Sequence, residues 1–184
     1  MEFIETGLPQ LLIIKPKVFT DSRGYFYESY LQEKLEERGI NTNFIQDNQS
    51  KSVRNVLRGL HYQLEPYAQA KLVRVLQGEV LDIAVDLRRN SPTFGQWHSI
   101  VLSDENHYQF YIPRGFAHGF SVLSDTAIFS YKCDNSYHPE AERGLRFDDP
   151  DLGIDWKINL DHAIVSEKDL RLPNLKDADY NFRF

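Results

Sequence analysis

An almost perfect alternation runs from Glu79 to Arg89, with the large apolar Leu81, Ile83, Val85 and Leu87 on one set of positions and Val80, Asp82, Ala84 and Asp86 on the other. A period of two is the mark of a strand, whose successive side chains point to opposite faces of a sheet. Lys71 to Gln77 repeats the pattern, Lys71, Val73 and Val75 alternating with Leu72, Arg74 and Leu76. Leu57 to Leu64 precedes it as a further strand, joined through a turn that contains Pro66. Shorter apolar runs at Leu11 to Ile14, Trp97 to Leu102, Tyr108 to Ile112 and Ala127 to Cys133 read the same way, each bounded by Gly, Pro, Asn or Ser. Helical spacing is confined to Ser29 to Arg38, where Leu31 and Leu35 are four apart and Gly39 stands at the expected stop. Ser166-Glu167-Lys168-Asp169 reads as a helix start capped by the serine, and Asn135 to Pro150 as loop. Many short strands with little helix imply an all-β sandwich or barrel with short peripheral helices.

Size and charge narrow the function. The 184 residues suit one core, and no Pro/Gly/Ser-rich linker divides them, so a single domain over residues 1–184 is expected. A net charge of −6 disfavours nucleic acid as a partner while leaving room for a local cationic pocket. No cationic leader pattern and no apolar run of membrane-spanning length stands in the chain, so neither export nor a membrane partner is expected. The single Cys133 excludes an internal disulfide and suits the cytoplasm.

Several polar residues stand where a core would not need them. His61 and Lys71, on two adjacent strands, are expected to converge inside one sheet, and an ammonium among apolar side chains argues for a pocket. Asp82 lies on the alternate face of its strand and would keep the Lys71 ammonium charged if the register brings them together. Gln46 and Asn48 sit in the strand-like segment Asn43 to Ser50, where they line a polar cleft or a solvated edge. Arg23, in the turn Asp21-Ser22-Arg23-Gly24 beside Tyr25, Phe26 and Tyr27, holds a phosphate or is an exposed turn arginine. His118 falls in Pro113-Arg114-Gly115-Phe116-Ala117-His118-Gly119-Phe120, read as a tight corner. Tyr131 shares the alternate set of Ala127 and Phe129, as a core tyrosine or as an inward-facing acid.

Pro113-x-Gly-x-x-His118 and Lys71, separated by six residues from the turn glycine Gly78, resemble the cupin superfamily of jelly-roll barrels. In metal-binding cupins the motif carries a second His and a Glu where this chain has Gln63 and Lys71, and an ammonium in place of a carboxylate ligand predicts no catalytic metal. More closely, Asp21 to Gly24, Phe44 to Asn48, Arg58 to Gln63, Lys71 to Val75, Pro113 to Phe120 and Ser166 to Asp169 together resemble the dTDP-4-dehydrorhamnose 3,5-epimerase family. The resemblance implies a cofactor-free isomerase acting on a dTDP-linked 4-keto-6-deoxy sugar. It implies His61 as the base, oriented by Asp169, Tyr131 as the acid on the opposite face of the sugar, and Lys71 against the charge on the C4 oxygen. It further implies that Arg23, Arg58, His118 and Lys168 hold the diphosphate and sugar, with Phe26, Glu28, Gln46 and Asn48 at the nucleotide end. A homodimer is implied too, the segment around Arg23 reaching the neighbour's site. A C3-only epimerase, a 3,4-ketoisomerase and a non-catalytic sugar- or metal-binding cupin are the alternatives.

Overall fold

The computed structural model describes residues 1–184. Along the chain the strands are β1 (Glu2–Glu5), β2 (Leu12–Lys15), β3 (Phe19–Asp21), β4 (Gly24–Phe26), β5 (Gln46–Val53), β6 (Leu57–Gln63), β7 (Lys71–Gln77) and β8 (Glu79–Asp86). They continue as β9 (Trp97–Ser103), β10 (Gln109–Ile112), β11 (Phe116–Val122), β12 (Thr126–Cys133) and β13 (Glu142–Gly144). One helix, α1 (Gln32–Glu36), precedes β5, and four 3₁₀ turns follow β12.

Two antiparallel sheets face one another, one ordered β1-β2-β10-β7-β12-β5 and the other β13-β6-β11-β8-β9. Their inner faces meet in a core that includes Val73, Val75, Val80, Phe110, Phe120 and Phe129. The alternation of β8 therefore has a literal meaning. Val80 and Ala84 point into this core, whereas Leu81, Ile83, Val85 and Leu87 pack outward beneath the C-terminal segment, against Phe147, Trp156 and Phe182. Likewise Val73 and Val75 of β7 face in, and Leu72 faces out against Leu35 and Ile40 around α1. The all-β sandwich expected from the strand pattern is the one observed, in the jelly-roll form that the cupin resemblance implied.

Three expectations are corrected. The helix read over Ser29 to Arg38 is only Gln32–Glu36, because Leu31 at its N-cap offers no side-chain acceptor to the first free amides, although Gly39 does end it at a φ of +82°. Strands β6 and β7 do not lie in one sheet: they sit in the two opposed sheets, so His61 and Lys71 face each other across the sandwich. The stretch around His118 is strand rather than corner, since the turn closes at Gly115 (φ +89°) and β11 begins at the next residue. The segment after Asn135 is loop, as expected, apart from β13 and the 3₁₀ turns.

Candidate active site

Register fixes which side chains share the space between the sheets. In β11, His118 pairs with His61 of β6 on one side and with Ala84 of β8 on the other, while Phe120 pairs with Asp82. Between the pairs His118/His61 and Phe120/Arg58 the β6 strand carries two residues, Gly59 and Leu60, against the single Gly119. This bulge breaks the period of two, so that Arg58 and His61, three apart, both line the same cavity. Opposite them, Tyr131 of β12 pairs with Val73 and Asn48, and Cys133 with Lys71 and Gln46. Lys71, Phe129 and Tyr131 thus form the facing wall.

The resulting cavity has a volume of about 480 Å³. It continues past His61, Lys71 and Tyr131 into a smaller lobe of about 270 Å³ that also holds Gln46, Asn48, Tyr137 and Glu142. Nine of the residues named from the sequence meet here: His61, Tyr131, Asp169, Lys71, Arg58, His118 and Lys168 in the larger lobe, Gln46 and Asn48 in the smaller.

Asp169 arrives from the C-terminal segment, where it opens the 3₁₀ turn Asp169–Arg171 and its amide donates to Ser166 Oγ. The serine thus accepts one amide at the start of this turn, but the N-cap position is Lys168, which offers no side-chain acceptor, and the element ends after that single turn with no longer helix. The carboxylate is nearly buried and lies 2.8 Å from His61 Nε2, with its second oxygen accepting the Gly59 amide at 3.2 Å. Burial raises the Asp169 pKa, but the hydrogen bonds and charge of His61 and the Gly59 amide outweigh it and hold the carboxyl below its usual range. An ionised carboxylate fixes one imidazole nitrogen as a donor and leaves the other free toward the cavity.

Asp82 is correctly placed on the inner face, yet its partner is His118 and not Lys71. His118 Nε2 is 3.0 Å from each Asp82 oxygen. Burial pushes both groups toward their neutral forms, the Asp82 carboxyl up and the His118 imidazole down. Lys71 Nζ stands 6.0 Å from the centre of the Tyr131 ring. Loss of hydration lowers the Lys71 pKa, opposed by the charges of Cys133, Asp82 and Glu142. The same loss raises that of Tyr131, so its phenol keeps its proton. Arg58 is steadied by Nε donating to Ser52 Oγ at 3.1 Å.

Arg23, Phe26 and Glu28 are not brought to this cavity. Arg23 and Phe26 belong to the β3–β4 hairpin, which projects with Phe26 69% exposed. Arg23 is paired with Asp21 at 2.6 Å, and Glu28 with Lys34 at 2.6 Å. Tyr25 and Tyr27 pack at a tilt against His107, which ties the end of the hairpin to the loop before β10.

Two lining residues, Tyr137 and Glu142, are not named from the sequence. Tyr137 donates its hydroxyl to Glu142 Oε2 at 2.5 Å, and Lys168 Nζ meets the same oxygen at 2.5 Å. An aromatic inside the polar run Asn135-Ser136-Tyr137-His138-Pro139 was the available hint.

A model of the dTDP-4-dehydrorhamnose 3,5-epimerase family matches residues 5–177. The chain belongs to that family. A dTDP-4-dehydrorhamnose 3,5-epimerase of Methanothermobacter thermautotrophicus is 53% identical over 176 residues, 95% of each chain. The crystal structure of the Elizabethkingia anophelis 3,5-epimerase superposes with a TM-score of 0.93 at 57% identity, covering 96% of this chain and 97% of that one. An epimerase of Legionella pneumophila, solved in complex with dTDP-4-keto-L-rhamnose, gives a TM-score of 0.93 at 51% identity over 97% and 94% of the two chains. The side-chain amide of Gln63, two residues beyond His61, is spent on backbone groups. No helix is long and apolar enough to cross a membrane.

Proposed function

We propose that the chain inverts C3 and C5 of dTDP-4-dehydro-6-deoxy-D-glucose to give dTDP-4-dehydro-L-rhamnose, in dTDP-L-rhamnose biosynthesis, without a cofactor. The C4 carbonyl acidifies the hydrogens on both neighbouring carbons. His61, held by Asp169, removes one of them and becomes imidazolium, the electron pair passing into an enolate whose oxygen is stabilised by the Lys71 ammonium. Tyr131 returns a proton to the opposite face of the same carbon. The imidazolium then loses its proton to water and the phenolate regains one, and the sequence repeats at the second carbon. No hydride moves, so no redox partner enters the balance. The observation that carries this reading is that His61 and Tyr131 stand on opposed sheets of one cavity, with Lys71 beside Tyr131 on the same wall. Arg58, His118 and Lys168 hold the sugar and diphosphate, and the smaller lobe, with Gln46 and Asn48, receives the nucleotide.

The enzyme works as a homodimer in the cytoplasm, the hairpin that carries Arg23 and Phe26 completing the partner's cleft along with Glu28. The hairpin's exposed aromatics and its lack of a role in its own cavity support this. Incubation of the substrate with the enzyme in D2O, followed by NMR, is the test. Deuterium should enter at both C3 and C5. Label at C3 alone would overturn the double inversion, and label at neither would overturn the catalytic reading.

A further inference from the structure

Gln63 lies two residues beyond His61 on β6 and is only 4% exposed. Its side chain makes three hydrogen bonds, all to backbone. Nε2 donates to the carbonyls of Tyr67 (2.7 Å) and Ser136 (3.0 Å), and Oε1 accepts the His138 amide at 2.6 Å. One amide thus ties the loop after β6 to the loop after β12, and in the latter it grips the residues immediately before and after Tyr137. A histidine at this position has two ring nitrogens and cannot serve two carbonyls and an amide at once.

The surrounding contacts form a clamp of which Gln63 is the buried centre. Gln69 Nε2 donates to the Asn135 carbonyl at 2.8 Å, and the Tyr67 ring stacks on His138 at 3.7 Å. Both lie nearer the surface. Tyr137 itself is half exposed and is held only at its hydroxyl, by Glu142, so its ring position on the wall of the smaller lobe depends on where the loop backbone is fixed.

We propose that Gln63 is a positioning residue for the nucleotide end of the cleft, fixing Tyr137 through the backbone of Ser136 and His138 and touching no substrate itself; the inference rests on the functional reading above. Contacts remote from the reacting carbons stabilise bound substrate and transition state alike, so their loss raises KM and leaves kcat nearly unchanged.

The test is Gln63→Met in the full chain, which matches the side chain's length and removes the amide. KM for dTDP-4-dehydro-6-deoxy-D-glucose and Kd for dTDP, the latter by calorimetry, should both rise about tenfold. The kcat should stay within about twofold of wild type. Unchanged KM and Kd, or a fall in kcat with Kd intact, overturns the proposal. Should Gln63→Met not fold, hydrogen exchange of the wild-type chain decides instead. Slow exchange at the His138 amide supports the clamp, and exchange at the rate of a free peptide refutes it. A wild-type enzyme that binds dTDP but does not turn over the sugar defeats the functional reading, while the comparison of dTDP binding still reports on Gln63.

Discussion

Lys71 and Tyr131 lose hydration to the same cavity, and the loss acts on them with opposite sign because it disfavours whichever form is charged. The ammonium is the charged form of lysine, so its pKa falls; the phenolate is the charged form of tyrosine, so its pKa rises. Proton donation needs the phenol and stabilisation of the C4 oxyanion needs the ammonium, so rising pH removes Lys71 first. The alkaline limb of kcat/KM should therefore lie below the ordinary lysine value of about 10.4. It should persist in the solvent-exchange activity of Tyr131→Phe and vanish from the residual activity of Lys71→Met. A limb that survives in Lys71→Met would reassign it. At this scale the sequence carries the residues proposed to react, since His61, Lys71, Tyr131 and Asp169 are all named from it and meet in one cavity. It carries the Asp169 partner of His61 but not the other pairings. Asp82 serves His118, and Tyr137 and Glu142 are not named from the sequence, because such contacts depend on which loops are tied together, as Gln63 ties two here.

Elements are legible wherever a period of two runs long enough, as in β7 and β8, whose inner and outer faces follow the alternation read from the chain. Which sheet each strand joins is not, because pairing between distant segments leaves no mark in a local pattern; hence the sequence puts β6 and β7 together although they oppose one another. The bulge in β6 is the sharper case. It puts Arg58 and His61 on one face against the alternation, and it does so only because β6 and β11 approach closely at two glycines. A Cβ on Gly119 would lie 2.7 Å from the Arg58 carbonyl and 3.2 Å from Gly59 Cα, both backbone atoms with little freedom to yield. Gly119→Ala should therefore destabilise the fold by about 1–3 kcal/mol, as overpacking does. It should also depress turnover beyond what the lost folded fraction explains, by pushing His61 away from Asp169. Thermal melts paired with kcat on the folded enzyme measure both. An unchanged melting temperature with normal turnover would mean that the glycine contact does not set the register.

For the whole molecule, the decisive question is whose cavity the β3–β4 hairpin serves. The Asp21-Ser22-Arg23-Gly24 turn is readable from the sequence, and it is the turn observed, with the Arg23 amide donating to Asp21 Oδ1 at 2.8 Å. Its destination in the proposed dimer is what the sequence does not give. Two variants separate the possibilities. His61→Ala removes the base, a loss on the order of 10²- to 10⁴-fold, and Arg23→Ala removes the hairpin cation; each alone should be poorly active. Co-refolded in equal amounts, they yield, if the proposed homodimer forms, a population half of which are mixed dimers. If the hairpin reaches across, a mixed dimer gathers both lesions into one cleft, the His61→Ala cavity served by the Arg23→Ala hairpin. The other cleft is then intact, and the mixture should recover up to about a quarter of wild-type activity, as expected for closed two-fold symmetry. If each hairpin folds back on its own cavity, every cleft keeps one lesion and mixing recovers nothing. Recovery that disappears when both substitutions are placed in the same chain and mixed with itself, and that tracks the fraction of mixed dimer, ties the hairpin to the neighbouring site; no recovery at full dimer exchange removes it from that role.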